Sequence, residues 1–442
     1  MTLNPFKGLD NPKTVCAWGL YDLANQSFTL LINTLLFSIY FKEVVVGDDA
    51  KGDALWGLTF SGSMLLVVVA SPLLGAVADC RGWRKNFLVW TGVGCCLLTM
   101  SFGLITPGAV ALAMLLYIPA NFLYQIGENF LASFLPSVST PRTIGRVSAT
   151  GWAMGYVGAL LLLMFTIAGM LAFGLKDPEH WRPFFVFAGI WFAINMVPAV
   201  LALKEPRPEQ SHGATTLVGE AFVRMRDTVR SASHYRQLVR FLTAFFIYGM
   251  GVQVIIAFAS IIANDFGFGS TKLVLYVLQL TVTAGIAAIG TAKFQDRIGA
   301  KPTVLVYLGI WSLSALGLLI MSLVPDCPEW PFWVVGNGIG FGIGGIGTAS
   351  RSIVGRFAPA HKTGEFFGLW GMVYKLAAVV GVASFSQVKA WIGMPTSLGL
   401  LLGFFALGFV LMLRVNEMDG YKAARRASRA VRFTSDADRN AS

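Results

Sequence analysis

Gly75-Ala76-Val77-Ala78-Asp79-Cys80-Arg81-Gly82-Trp83-Arg84-Lys85 is a short polar interruption between two apolar runs, Ala54 to Ala78 and Asn86 to Thr106. Its pattern is a glycine, an aspartate four residues on, a glycine turn and a pair of bases. A second copy, Ala292-Lys293-Phe294-Gln295-Asp296-Arg297-Ile298-Gly299-Ala300-Lys301, lies about half of the 442-residue chain further on, again between apolar runs. The repetition points to a membrane protein of two similar halves. An aspartate that ends a membrane helix can accept hydrogen bonds from helix-start amides or pair with a nearby Arg. Gly82 and Gly299 permit the sharp turn into the next helix. Gly75, Asp79, Arg81, Gly82, Arg84 and Lys85, with Asp296, Arg297, Gly299 and Lys301, thus form two candidate clasps that hold one conformation and release in another. The plainer alternative is a tight turn with positive charge on its cytoplasmic side. Duplication favours the clasp.

This hairpin resembles the signature between helices 2 and 3 of the major facilitator superfamily, and its second copy would then join helices 8 and 9. Both copies depart from the pattern. Cys80 stands where a basic residue is usual, and Ala292 replaces the opening glycine. The resemblance says nothing of substrate.

Composition agrees with a membrane protein. Hydrophobic residues make up 55% of the chain, charged residues only 13%, and the mean hydropathy is +0.65, far from an ordinary soluble domain. Apolar runs of about twenty residues can cross the hydrocarbon core as helices. Twelve are expected, over 15–42, 54–78, 86–106, 109–135, 146–174, 181–203, 237–263, 271–293, 303–324, 331–357, 365–388 and 393–414. The expected fold is an all-α membrane protein with two six-helix bundles, 1–204 and 237–414. A cytoplasmic linker, 205–236, joins them, and a basic tail, 415–442, follows. Within the linker, Val218, Ala221, Phe222, Met225 and Val229 form an apolar stripe beside Arg224, Arg226 and Arg230, which suggests an amphipathic helix on the membrane surface.

The net charge of +11 does not indicate nucleic acid. With both termini cytoplasmic, only Lys42, Lys51, Lys176, Arg182, Lys272 and Lys389 fall on the outer side, and Lys375 falls within a helix. Outer segments carry acids instead, as at Glu43, Asp48, Asp49 and Asp53. This is the positive-inside asymmetry. The five cysteines form no disulfide or metal framework. No cleavable signal is read at the N-terminus. No cofactor or metal is expected, the lipid bilayer is the surrounding partner, and the chain is expected to be monomeric.

Polar residues inside the spans mark the working face. In helix 1, Asp22, Gln26, Thr29 and Asn33 are spaced i, i+4, i+7 and i+11, with Asn25 beside them. In helix 4, Asn121, Gln125 and Glu128 repeat the device. Such stripes face protein or water rather than lipid. Asp22 and Glu128 each lie about 12 Å from their cytoplasmic helix ends at the helical rise, so they reach similar depth. Gln253 marks helix 7. All four histidines, His180, His212, His234 and His361, fall in loops, so Glu128 and Asp22 are the natural proton carriers. Helix 5 carries Gly151 and Gly155 for close packing. Helix 10 is rich in glycine; its Gly340, Gly342 and Gly345 match a dinucleotide fingerprint formally, but the match lies within a membrane segment. Packing or bending is the expected role there. Arg351 in helix 10 and Lys375 in helix 11 are bases within the second half. Two readings stay open for them: ion pairs between the halves that close the cytoplasmic side, or, for Lys375, a seat for a substrate carboxylate.

Three separated stretches resemble one branch of the superfamily, the vacuolar effluxer-like permeases. They are Tyr21-Asp22-Leu23-Ala24-Asn25, then Leu135-Pro136 through Gly145-Arg146-Val147-Ser148 to Gly158, and Ser350-Arg351-Ser352 followed by Glu365-Phe366-Phe367-Gly368. Leu23, Gln26 and Gly347 depart from the residues common there. The resemblance implies export of small solutes, with amino acids as the best-supported class. Taken together, the sequence predicts a secondary active transporter of a small polar solute, driven by protons, with a cavity lined by Asn25, Gln26, Asn121, Gln125, Gln253, Arg351 and Lys375. A lipid-acting enzyme would need a clustered nucleophile and base or metal ligands, which the sequence does not offer. A receptor with a transporter fold is the alternative. A bacterial inner membrane fits better than a eukaryotic vacuole.

Overall fold

The computed structural model describes residues 9, 11–140, 143–205, 230, 235–325, 327–359 and 363–428. Among the described residues, twelve long helices follow one another. They are α1 (Pro12–Val46), α2 (Asp49–Arg81), α3 (Arg84–Ser101), α4 (Val110–Ser133), α5 (Ile144–Phe173) and α6 (Arg182–Ala202). The second set is α7 (Arg236–Asp265), α8 (Ser270–Ile298), α9 (Ala300–Leu323), α10 (Trp330–Phe357), α11 (Thr363–Trp391) and α12 (Met394–Leu413). No β-strand occurs among the described residues. Eleven of the twelve are long and apolar enough to cross a membrane. The exception is α10, 28 residues long, where repeated glycines replace apolar side chains and dilute the hydropathy.

Local chemistry sets the helix ends. Asp48 caps α2 by accepting a hydrogen bond from the Lys51 amide at 2.8 Å, as an N-cap carboxylate does. Gly82 ends α2 with φ +62°, and Gly299 precedes α9 with φ +93°; a side chain would be strained at either turn. Pro12 opens α1 at its first turn, where its missing amide costs nothing.

Two compact units make up the chain. One comprises Met1–Ala221, Val254–Val282 and Val382–Gly393, so it adds the end of α7, the start of α8 and the end of α11 to α1–α6. The other comprises Phe222–Gln253, Thr283–Gly381 and Met394–Ser442. In the first unit α3 packs on α4 and α6, and α1 on α5 and α6. In the second, α9 packs on α10 and α12. Because α9 is the counterpart of α3 six helices later, these contacts repeat the same arrangement. The glycines of α10 make its close packing possible. A Cβ on Gly342 would fall 1.6 Å from the Trp311 ring nitrogen, and one on Gly345 would fall 1.9 Å from the Tyr307 ring.

The expected amphipathic stretch over 218–229 lies outside the described residues. The tail, expected only as basic, is helical over 417–428. Ala424 is buried there, and a Cβ on Gly420 would meet the Phe357 ring at 2.3 Å. Small residues let a polar-looking segment dock, a signal that net polarity hides.

Candidate functional site

The polar side chains of α1 and α4 meet in a seam. The Asn25 amide donates to the Glu128 carboxylate. Thr29 and Tyr124 share a hydrogen bond of 2.7 Å. Asn33 donates to Asn121 at 3.2 Å and accepts from the Tyr117 hydroxyl at 2.8 Å. Asn121 then donates to Ser63 of α2 at 2.7 Å. Asn25, Asn33 and Asn121 are buried, so each bond forms where water cannot substitute and an unmade one would be costly. No hydrogen-bond donor among the described residues reaches Asn25 Oδ1.

The α1 partners are spaced by four, at 25, 29 and 33, whereas a straight α-helix repeats every 3.6 residues. Wider turns reconcile the two. Over Ser27–Leu35 the helix is a π-helix, and the Leu36 amide bonds the Leu31 carbonyl, five residues back. Such insertions are concentrated at functional sites. The widening holds Asn25, Thr29 and Asn33 in line along α4. It also splits the single polar stripe expected from sequence. Asp22 and Gln26 turn instead toward α5, where a Cβ on Gly155 would lie 3.3 Å from Gln26 Nε2 and 3.6 Å from Asp22 Oδ2. Gly155, expected only to pack, is therefore also the neighbour of a candidate proton carrier.

On α4 the seam bonds above come from Tyr117, Asn121, Tyr124 and Glu128, one α-helical face. The sequence reading chose Gln125 and passed over both tyrosines, because a phenol within an apolar run reads as core. Gln125 is only partly buried, and none of the seam bonds above involves it.

In the second unit, Tyr248 of α7 and Ser350 of α10 share a buried hydrogen bond of 2.8 Å. The Arg351 guanidinium lies 5.9 Å from the centre of the Trp370 ring, within cation–π range. Trp370 stacks on Tyr374 and on Phe245. Lys375, next to Tyr374, is half-buried, and Gln253 is buried.

Of the candidate clasps, the side chains of Asp79 and Asp296 lie outside the described residues. Near these turns, helix-start amides are bound by two glutamates that sequence reading did not single out. Glu205 accepts from the Arg84 and Lys85 amides at 2.8 and 2.7 Å. Glu417 accepts from the Lys301 amide at 2.9 Å and pairs with Arg356. Each glutamate follows the last helix of its set of six and caps the third, where the helix dipole favours negative charge. Arg81 lies 4.7 Å from the centre of the Trp83 ring. Gly75 and Arg84 line a cleft of about 270 Å³ with Ser71, Asn129 and Ser133.

A family described as "Vacuole effluxer Atg22 like" matches residues 44–144 and 139–425, nearly the whole chain. The protein belongs to this family. The "Uncharacterized MFS-type transporter YxiO" of Bacillus subtilis is 26% identical to it over 431 residues, covering 91% of this chain and 94% of that protein. "Autophagy-related protein 22" of Yarrowia lipolytica is 23% identical over 408 residues, covering 73% of this chain and 68% of the fungal one. Among solved structures, a mutant form of the nucleoside transporter NupG superposes with a TM-score of 0.70 at 13% identity, covering 90% of this chain and 99% of NupG. A D-xylose-proton symporter gives a TM-score of 0.70 at 15% identity, covering 92% and 98%. The fold is the major facilitator fold, twelve membrane helices in two sets of six. This Atg22-like chain is a multi-pass membrane transporter of that superfamily.

Proposed function

We propose that the protein exports a small polar solute, an amino acid or a solute of that size, by alternating access. Protons drive the cycle, carried by Glu128 or Asp22. The observation that supports this most is the α1–α4 seam. A carboxylate held by Asn25 within a membrane helix is costly unless it serves a ligand or a proton. The buried Asn25 Oδ1, which no donor among the described residues reaches, suits a donor group on the solute. The family's description as an effluxer supports export. Gln26, Asn121, Gln125, Gln253, Arg351 and Lys375 complete the proposed cavity, with Lys375 the candidate seat for a solute carboxylate. Both termini are assigned to the cytoplasm from the charge asymmetry, which makes the α1–α2 end the outer one. The proposed halves are 1–204 and 237–414, acting within a monomer. Similarity to the Bacillus subtilis protein over 94% of its length supports a bacterial inner membrane.

A thermal-shift screen of the purified protein against amino acids, short peptides, sugars and nucleosides tests the ligand class, since a ligand that binds only the folded state raises the midpoint by mass action. The proposal expects an amino acid or similar zwitterion to do so. A shift given by sugars or nucleosides alone would argue against it.

A further inference from the structure

Four charged side chains from four helices close a ring at the α1–α2 end. Lys42 of α1 reaches Asp265 of α7 at 2.6 Å and Asp53 of α2 at 3.6 Å. Lys389 of α11 reaches Asp265 at 2.7 Å and pairs with Asp53. Signs alternate around the ring, Lys42, Asp265, Lys389, Asp53, and its net charge is zero. Lys42 is 2% exposed, Asp53 3% and Lys389 8%. The Asp265 side chain is 19% exposed, although its main chain at the helix end is open. Exposed Asp49 also approaches Lys42, at 3.3 Å, and an exposed contact of that kind is worth little. All of these residues lie within the first unit.

The surroundings are built to the same end. A Cβ on Gly52 would fall 2.8 Å from Lys42 Cγ, so only glycine lets α2 lie against that stem. A Cβ on Gly57 of α2 would fall 1.9 Å from the Ser386 hydroxyl of α11. Thr34 of α1 donates to the Ile256 carbonyl of α7 at 3.0 Å, and Trp56 of α2 donates to the Ala257 carbonyl at 3.0 Å. Thus α1 and α2 are seated on α7 and α11 throughout this end.

We propose that the ring is a charge-neutral latch that closes this end of the transporter and divides without stranding a charge. Within the ring, separating α1 and α2 from α7 and α11 breaks only the Lys42–Asp265 and Lys389–Asp53 links. The first pair of helices keeps Lys42 with Asp53, and the second keeps Lys389 with Asp265. Breaking a buried pair ordinarily leaves an uncompensated buried charge and is strongly unfavourable. Here each departing side carries its own counter-charge, so opening costs attraction but no isolated ion. The inference rests on alternating access and is independent of substrate, direction and proton coupling.

Two charge swaps with identical composition separate this latch from a structural ion cluster. Exchanging Lys42→Asp with Asp265→Lys keeps the links between the two helix pairs and makes each pair like-charged. Exchanging Lys42→Asp with Asp53→Lys keeps each pair self-neutral and turns both links repulsive. The readout is the rate at which a membrane-impermeant maleimide labels Thr34→Cys, with native cysteines replaced, in purified protein whose melting midpoint is recorded alongside. The first swap should slow labelling about tenfold and the second should speed it about tenfold. If a swap does not fold, Asp265→Asn alone serves, and it should speed labelling. Equal changes in the same direction from both swaps, or no change in any variant, would overturn the latch. If the unsubstituted protein carries no amino acid or similar solute while the predicted labelling changes appear, the proposed solute class is wrong and the latch stands.

Discussion

Two glycines one helical turn apart on α5 offer a sharp test of how α1 is seated. A Cβ on Gly151 would fall 2.4 Å from Trp18 Cζ3 and 2.9 Å from Cη2. Trp18 is buried, and its ring nitrogen donates to the Leu131 carbonyl of α4 at 2.9 Å. Gly151→Ala must therefore displace the indole. Overpacking of this kind costs about 1–3 kcal/mol, and the lost indole hydrogen bond adds about 1 kcal/mol. Alanine regains about 1 kcal/mol over glycine within a helix, leaving a net loss of about 1–3 kcal/mol. At Gly155 the new Cβ would be 3.3 Å from Gln26 Nε2 and 3.6 Å from Asp22 Oδ2. A few tenths of an ångström of movement by the flexible Gln26 side chain relieves this, and the propensity gain offsets it. Gly155→Ala should be within about 1 kcal/mol of the parent. The assay is the melting midpoint of each variant in detergent micelles, followed by intrinsic tryptophan fluorescence. Equal losses at the two positions, or the reverse order, would refute this seating of α1 on α5.

Other perturbations reach the remaining parts of the account. Glu128→Gln should abolish accumulation driven by a pH gradient while preserving counterflow exchange; if accumulation survives both in it and in Asp22→Asn, neither carboxylate is the required proton carrier. Lys375→Ala should weaken binding of a zwitterionic ligand far more than that of an uncharged analogue of the same shape, and equal weakening would assign Lys375 to structure. Removing the helix caps with Glu205→Ala or Glu417→Ala should each cost about 0.5–2 kcal/mol, in near-additive fashion because the two act on different helices. Midpoints unchanged from the parent would show that the amides of α3 and α9 find other partners.

The fold was legible because membrane helices announce themselves by length and apolarity, and because the glycine–aspartate hairpin recurs half a chain later. Asp22, Asn25, Asn33, Asn121 and Glu128 were legible for a related reason: a polar residue inside a span stands out. Two kinds of feature were hidden. The π-helical turns of α1 change its period, so the face predicted from a 3.6-residue repeat divides between α4 and α5. Lys42, Asp53 and Lys389 sit at helix ends, where a charge in the sequence reads as solvated. Their pairing partners include residues more than two hundred positions away, Asp265 for Lys42 and Lys389 for Asp53. The available signal was that Lys42 and Lys389 broke the positive-inside pattern. Glu205 and Glu417 were missed because a glutamate just beyond a helix looks like a loop residue until its target amides are known.

Solute counterflow in proteoliposomes tests the central claim most directly. Vesicles containing the purified protein would be loaded with an unlabelled solute identified by thermal shift, then diluted into a trace of the same solute carrying a label. An alternating-access carrier returns to the opposite face loaded, so label should accumulate transiently above its external concentration, and protein-free vesicles should show none. If a solute stabilises the protein yet gives no overshoot at any pH from 5 to 8, roughly the range in which intramembrane carboxylates with shifted affinities exchange protons, the protein binds without carrying, and the transport account is wrong.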